Sequence, residues 1–194
     1  MQNINKLKLL AFAGSLREKS INKKLLKIVV DGINTVDADV IVLDINAFNL
    51  PMYNQDIEDK SFPEDILTFK TMFNECDGIL IASPEYNGSY SAALKNLLDW
   101  VSRPDNTKRS YFKNKTAAIM SASPSKLGGI RGLMELRTLL SKLGYLVIPD
   151  QLGISSADSV FNENDDILDS KTKDGVIQIG RELVRITKLI NSKD

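Results

Sequence analysis

Apolar runs alternate with apolar stripes along most of the chain. Leu7–Ala13 is almost continuously apolar apart from Lys8, the signature of a strand buried on both faces. Behind it Ile21, Leu25, Ile28, Val29 and Ile33 fall on one face of a helix over 21–33. Val40-Ile41-Val42-Leu43 then makes 39–43 a second strand, rich in β-branched residues. Strand, helix, strand in that order predicts a right-handed crossover and a parallel pair.

The alternation continues after a long connection over 44–63 that contains Leu50-Pro51-Met52-Tyr53. Its length suits a functional loop or a surface excursion pinned by Phe48 and Leu50. Pro63 opens a helix whose Ile66, Phe69 and Phe73 share a face, and 79–82 is the third strand. Tyr90, Ala93, Leu94, Leu97, Leu98 and Val101 give the cleanest helical spacing in the chain. A polar link carrying Tyr111 and Phe112 leads to a fourth strand over 116–120. Leu133, Leu136, Leu140 and Leu143 mark the next helix, Gly144 ends it, and 145–148 is the fifth strand. Val176, Ile179, Leu183, Ile186 and Ile190 define a closing helix. Five strands alternating with five helices predict an open, doubly wound α/β sheet forming one domain over residues 1–194.

In such sheets ligands bind outside the carboxyl ends of the strands, at the switch point. That rule selects three loops: residues 14–22, 83–89 and 121–129.

Composition narrows the chemistry. Lys and Arg number 25, Asp and Glu 25, so the charges cancel and the electrostatic case for a nucleic-acid or anionic-membrane partner is missing. Cys76 is the sole cysteine, which rules out an internal disulfide and a cysteine cluster, and fits a reducing, cytoplasmic setting. Beside Asp77 it reads as a structural thiol rather than a nucleophile. The chain has no histidine, so Ser-His and Cys-His catalysis and every imidazole metal site are excluded. Lys6, Lys8 and the run to Ala13 mimic a secretory leader, but the run is too short and cleavage would remove the first strand. No run approaches the roughly 18 apolar residues of a membrane span.

The first loop, Gly14-Ser15-Leu16-Arg17-Glu18-Lys19-Ser20-Ile21-Asn22, turns a strand into a helix. Such a turn gathers unpaired helix N–H groups, and Ser15, Arg17, Ser20 and Asn22 add side-chain donors, which together suit a phosphate. Ser20 as a plain helix cap with Arg17 and Lys19 solvated is the competing explanation. G-x-G-x-x-G and G-x-x-x-x-G-K-[ST] are both missing here, which disfavours a Rossmann dinucleotide and a nucleoside triphosphatase. Strand one lacks the acidic residues of a receiver domain. A phosphate without a metal remains, with a planar group near Tyr86 and the backbone of 84–88.

Gly14-Ser15-Leu16-Arg17 with Ser20 and Asn22, then Ser83-Pro84-Glu85-Tyr86-Asn87-Gly88-Ser89 running into Leu94-Lys95-Asn96 and Asp99-Trp100, closely resembles the NADPH-dependent FMN reductase family. The resemblance spans roughly residues 9–152. It implies a flavodoxin-like, three-layer fold with five parallel strands in the order 2-1-3-4-5. It implies FMN as cofactor and NADPH or NADH as co-substrate, with hydride passing through the flavin to a quinone, azo, flavin or metal-oxyanion acceptor. Ser15, Arg17, Ser20 and Asn22 would bind the FMN phosphate. Pro84, Glu85, Tyr86, Asn87 and Gly88 would line the ring, largely through backbone groups, and Ser121 and Ser123 would face it. No catalytic side chain is required, because the flavin carries the chemistry.

The third loop departs from the family pattern, with Pro124-Ser125-Lys126 ahead of Gly128-Gly129 and Arg131, as does Ser110-Tyr111-Phe112 where a proline commonly precedes the phenylalanine. The second departure bears on substrate specificity. The resemblance also implies a homodimer or homotetramer with the flavin near a subunit boundary, and Trp100 suits either such an interface or the interior of the domain. The alternative function is a flavin-binding electron carrier without its own NAD(P)H turnover. A carrier of flavodoxin type would have a threonine-rich phosphate loop and an acidic surface, and this chain has neither.

Overall fold

A computed structural model describes residues 6–33, 37–104 and 112–192. β1 (Leu7–Ala13), β2 (Ala38–Leu43), β3 (Gly78–Ala82), β6 (Thr116–Ala122) and β7 (Leu146–Ile154) form one parallel sheet in the order β2-β1-β3-β6-β7. Counted as sheet strands this is the 2-1-3-4-5 order of a flavodoxin-like fold.

Side-chain alternation on the central strands divides the interior in two. Leu9, Ala11, Leu80, Ala118 and Met120 pack under α1 (Ile21–Gly32) and α6 (Ser170–Asn191). Leu10, Phe12, Ile79, Ile81 and Ile119 pack under α3 (Glu64–Glu75), α4 (Ala92–Val101) and α5 (Ile130–Leu143). Helix, sheet and helix are the three layers expected.

Several elements differ from the sequence pattern, and the fourth sheet strand runs past residue 120 to take in Ser121 and Ala122. Tyr90 belongs to a hairpin, β4 (Glu85–Tyr86) with β5 (Ser89–Tyr90), and α4 starts two residues later behind the N-cap Ser91, whose Oγ accepts the Leu94 N–H at 3.1 Å. The hairpin turns on Asn87 (φ 53) and Gly88 (φ 83), the two left-handed residues of a type I′ turn. The fifth sheet strand runs on to Ile154 instead of stopping at Ile148. Its Pro149 is tolerated because β7 is an edge strand, and a register shift lies between Ala117 and Ile119 on its partner.

The long connection is held down more firmly than Phe48 and Leu50 alone would hold it. It folds into a 3-10 turn (Ile45–Ala47) and a short helix α2 (Gln55–Glu58). Phe48 meets Phe69 at 4.3 Å between ring centroids. Trp100 Nε1 and Asn96 Nδ2 both donate to the Pro51 carbonyl, at 2.8 and 3.0 Å, and Asn96 Oδ1 accepts the Tyr53 N–H at 2.8 Å. Trp100 is fully buried, so it lies inside the chain and not on a free face.

Cys76 is buried, and desolvation pushes its thiol up to about 11, as befits a structural cysteine. Tyr145 stacks on Phe112 at 5.0 Å, and its buried hydroxyl has no hydrogen-bond partner among the described residues. An orphaned hydroxyl costs desolvation without return. Tyr145→Phe should therefore leave stability unchanged or raise it by up to about 1 kcal/mol. A urea midpoint that falls in this variant would reveal a partner for the hydroxyl. Tyr111 and its neighbour Ser110 lie outside the described residues.

Candidate functional site

β1, β3 and β6 are adjacent and end at one edge, with Ala13 opposite Ala82, Ala82 opposite Met120, and β6 running two residues further to Ala122. Their following loops therefore emerge side by side on one edge. The backbone binds them there: Gly14 donates to the Ala82 carbonyl, Ser83 to that of Met120 and Ser123 to that of Ile154, at 2.9, 2.9 and 3.0 Å.

In the first loop Ser15 and Ser20 are buried, while Arg17 and Lys19 are exposed and pair with no carboxylate among the described residues. Ser20 occupies the N-cap of α1, yet its side chain makes no capping hydrogen bond. Plain capping thus does not account for that hydroxyl. The N–H groups of Ile21 and Asn22 have no intrahelical acceptor, as at any helix start, whereas those of Lys23 and Lys24 donate to the Ser20 carbonyl at 3.0 and 3.2 Å. Ser15 Oγ accepts the Arg17 N–H at 3.4 Å, a long bond. Buried Ser91 donates to the Gly14 carbonyl, and Asn46 Nδ2 donates to that of Leu16 at 2.8 Å, so the loop is fixed from two sides.

Asn22 is placed differently from the other donors. Its Nδ2 donates to the Ala122 carbonyl at 2.9 Å and its Oδ1 accepts the Ala122 N–H at 2.9 Å. Both ends of the amide are engaged with β6, which leaves the second Nδ2–H as its one donor for a phosphate.

The second loop presents the β4–β5 hairpin. Pro84 is buried, Tyr86 is 51% exposed and Asn87 is exposed. A Cβ added at Gly88 would meet only Arg131 Cδ, at 3.9 Å, so the turn faces open space. Glu85 has a second task that its family role does not suggest. Its Oε2 accepts the Gly132 N–H at 3.0 Å and so caps α5, whose own N-cap is Gly129 and has no side chain to do so.

The third loop separates its two serines. Ser123 is half-buried and accepts the Ser125 N–H at 3.2 Å, a local turn at the edge. Ser121 is fully buried, and its Oγ has no hydrogen-bond partner among the described residues. A Cβ at Gly129 would lie 2.0 Å from that Oγ, so the glycine backbone covers the hydroxyl. Ser121, which the family resemblance would have facing the flavin, sits beneath the loop in this arrangement.

Sequence reading missed Ser91, Asn46 and the capping role of Glu85. The Asn87-Gly88 pair was a usable hairpin signal; the contacts of Ser91, Asn46 and Glu85 span 77, 30 and 47 residues and have no local signature. Among the described residues no three His, Cys, Asp or Glu side chains cluster to hold an ion. No described helix is long and apolar enough to cross a membrane.

Known proteins of one family resemble this chain. The family model described as NADPH-dependent FMN reductase matches residues 7–159. An NAD(P)H-dependent FMN reductase of Pseudomonas aeruginosa is 33% identical over 173 residues, covering 89% of this chain and 90% of its own. A 2-hydroxy-1,4-benzoquinone reductase of a Burkholderia species is 33% identical over 168 residues, 86% and 88% of the two chains. Among solved structures, the flavoenzyme NAD(P)H:(acceptor) oxidoreductase of Paracoccus denitrificans superposes with a TM-score of 0.82 at 27% identity, covering 94% of this chain and 98% of that one. The chain belongs to the NADPH-dependent FMN reductase family and is an FMN-dependent NAD(P)H oxidoreductase.

Proposed function

We propose that this family member holds FMN across the three loops at the carboxyl edge of β1, β3 and β6 and reduces a small-molecule acceptor there, a quinone, azo compound, free flavin or metal oxyanion. The observation that carries the reading is the meeting of a donor-rich helix start with an exposed, backbone-presenting hairpin on adjacent strands. The donor set fits the group. Buried Ser15 and Ser20, exposed Arg17 and the N–H groups of Ile21 and Asn22 suit a phosphate, whose hydrogen bonds to charged groups are worth about 1.5 to 3 kcal/mol each. Tyr86, Asn87 and Gly88 offer a ring face and turn backbone with open space above.

FMN, when bound, supplies the hydride relay between NAD(P)H and the acceptor. The chain's own part is to position and shield. Pro84, Glu85, Tyr86, Asn87 and Gly88 line the ring, Tyr86 keeps water from one side of it, and Ser123 closes the far end of the edge. No side chain is asked for an acid or base, consistent with a chain that has no histidine.

A single domain, a cytoplasmic location and a homodimer or homotetramer with the flavin at a subunit boundary complete the proposal, on the strength of the one five-stranded sheet and the family resemblance. Light scattering that returns only monomer at working concentration removes the oligomeric part. The site itself is tested by flavin titration of an Arg17→Ala, Ser20→Ala double variant. Affinity for FMN should fall by about ten- to a hundredfold, the equivalent of one or two lost charge-assisted hydrogen bonds. Unchanged affinity would place the phosphate elsewhere. The wild-type protein should be yellow with FMN and bleach under anaerobic NADPH or NADH; binding without bleaching by either nucleotide would favour the electron carrier.

A further inference from the structure

Asn22 joins two loops that the sequence keeps far apart. It sits in the first turn of α1, two residues after Ser20, and Ala122 is the last residue of β6, directly ahead of Ser123. Between them the amide forms a two-bond ring, Nδ2–H to the Ala122 carbonyl and Ala122 N–H to Oδ1, each 2.9 Å long across 100 residues. The residue is 3% exposed and Ala122 is 4% exposed, so water cannot substitute for either bond. Ala122 ends the ladder to β7 opposite Ile154, and the chain must break from the sheet there to form the third loop. The amide takes over its N–H and carbonyl from the α1 side.

We propose that Asn22 is a positioning residue of the flavin site, whose amide locks the phosphate-binding start of α1 to the ring-facing end of β6. This rests on the placement of FMN given above, but it assigns Asn22 a role other than phosphate contact. A clamp of this kind fixes the distance between the phosphate end and the ring end of the site, so the flavin meets a preformed edge. Carboxamide chemistry is needed because one atom must donate while the other accepts. Alanine has neither, and an ionised aspartate has no donor for the Ala122 carbonyl.

The experiment titrates wild type, Asn22→Ala and Asn22→Asp with FMN and with riboflavin, following flavin fluorescence and visible circular dichroism at pH 8 and pH 5.5. Asn22→Ala should bind FMN and riboflavin each about tenfold more weakly, by a similar factor, because both lose a preformed site. The dichroism of its bound flavin should also change. Asn22→Asp should be as weak at pH 8 and recover toward wild type, measured at the same pH, at pH 5.5. Burial raises the carboxyl above its ordinary value, so lowering the pH restores a neutral group that can donate to the Ala122 carbonyl while accepting its N–H. A loss confined to FMN, with riboflavin binding intact, would make Asn22 a phosphate ligand and overturn the proposal. So would wild-type affinity and dichroism in both variants. Failure of the wild type to bind FMN is the separate result that removes the FMN placement itself.

Discussion

Replacing Trp100 with alanine should cost about 3 to 5 kcal/mol of stability, the range for truncating a large buried aromatic. The indole is fully buried in α4, with Tyr53 edge-on at 5.0 Å and Phe62 at 6.2 Å. Its Nε1–H also shares the Pro51 carbonyl with Asn96. Truncation therefore opens a cavity and frees the connection from Leu50 to Tyr53 at once. Trp100→Phe keeps most of the volume and loses the hydrogen bond, so it should cost about 1 to 3 kcal/mol. Urea denaturation of both variants checks this. A loss under 1 kcal/mol in Trp100→Ala would mean that the long connection does not seal that side of the domain.

Gly128→Ala should be the other severe change. Gly128 has φ +60, and a Cβ there would lie 2.8 Å from the Gly153 carbonyl carbon and 2.9 Å from its oxygen. Backbone cannot swing aside as a side chain can. Overpacking costs about 1 to 3 kcal/mol and the left-handed conformation about 1 to 2 more. Relief would come from moving the third loop off β7, so FMN affinity should drop along with the thermal midpoint. Gly175→Ala supplies the contrast. It lies in α6, where an added Cβ would meet only Leu152 Cδ2 at 4.0 Å, and it should gain about 0.4 to 1 kcal/mol. Calorimetry of apo and FMN-loaded forms separates the two effects. If Gly128→Ala melts like wild type and binds FMN as well, loop and strand are not in close register in solution.

These variants mark the boundary between what the chain's pattern dictates and what folding adds. Leu7–Ala13 declared itself a buried strand by composition alone, and Ile21 to Val29 declared a helix by spacing, because burial on a fixed face is a local, periodic demand. Parallel pairing and the carboxyl-edge rule then followed, bringing loops 14–22, 83–89 and 121–129 to one edge. The family's two motifs supplied FMN, which periodicity could not.

Pattern fell short where a polar side chain chooses its partner. Asn22 looked like one more donor for a phosphate, and Glu85 like a residue lining a ring. Each has its strongest contact with a backbone group far along the chain, Ala122 and Gly132 respectively. Ser121 shared a loop with Ser123, yet one is sealed beneath Gly129 and the other lies at the edge. Trp100 could have faced a partner subunit or the interior, and Pro51 decided the matter by folding back over it. The sequence by itself determined the five sheet strands, the main helices and the edge on which the site lies, since these follow from periodic burial and chain chirality, while the strand order came with the family resemblance. Only the tertiary structure decided which donors stay free for a ligand, because a hydrogen bond across 100 residues depends on where two distant segments come to rest.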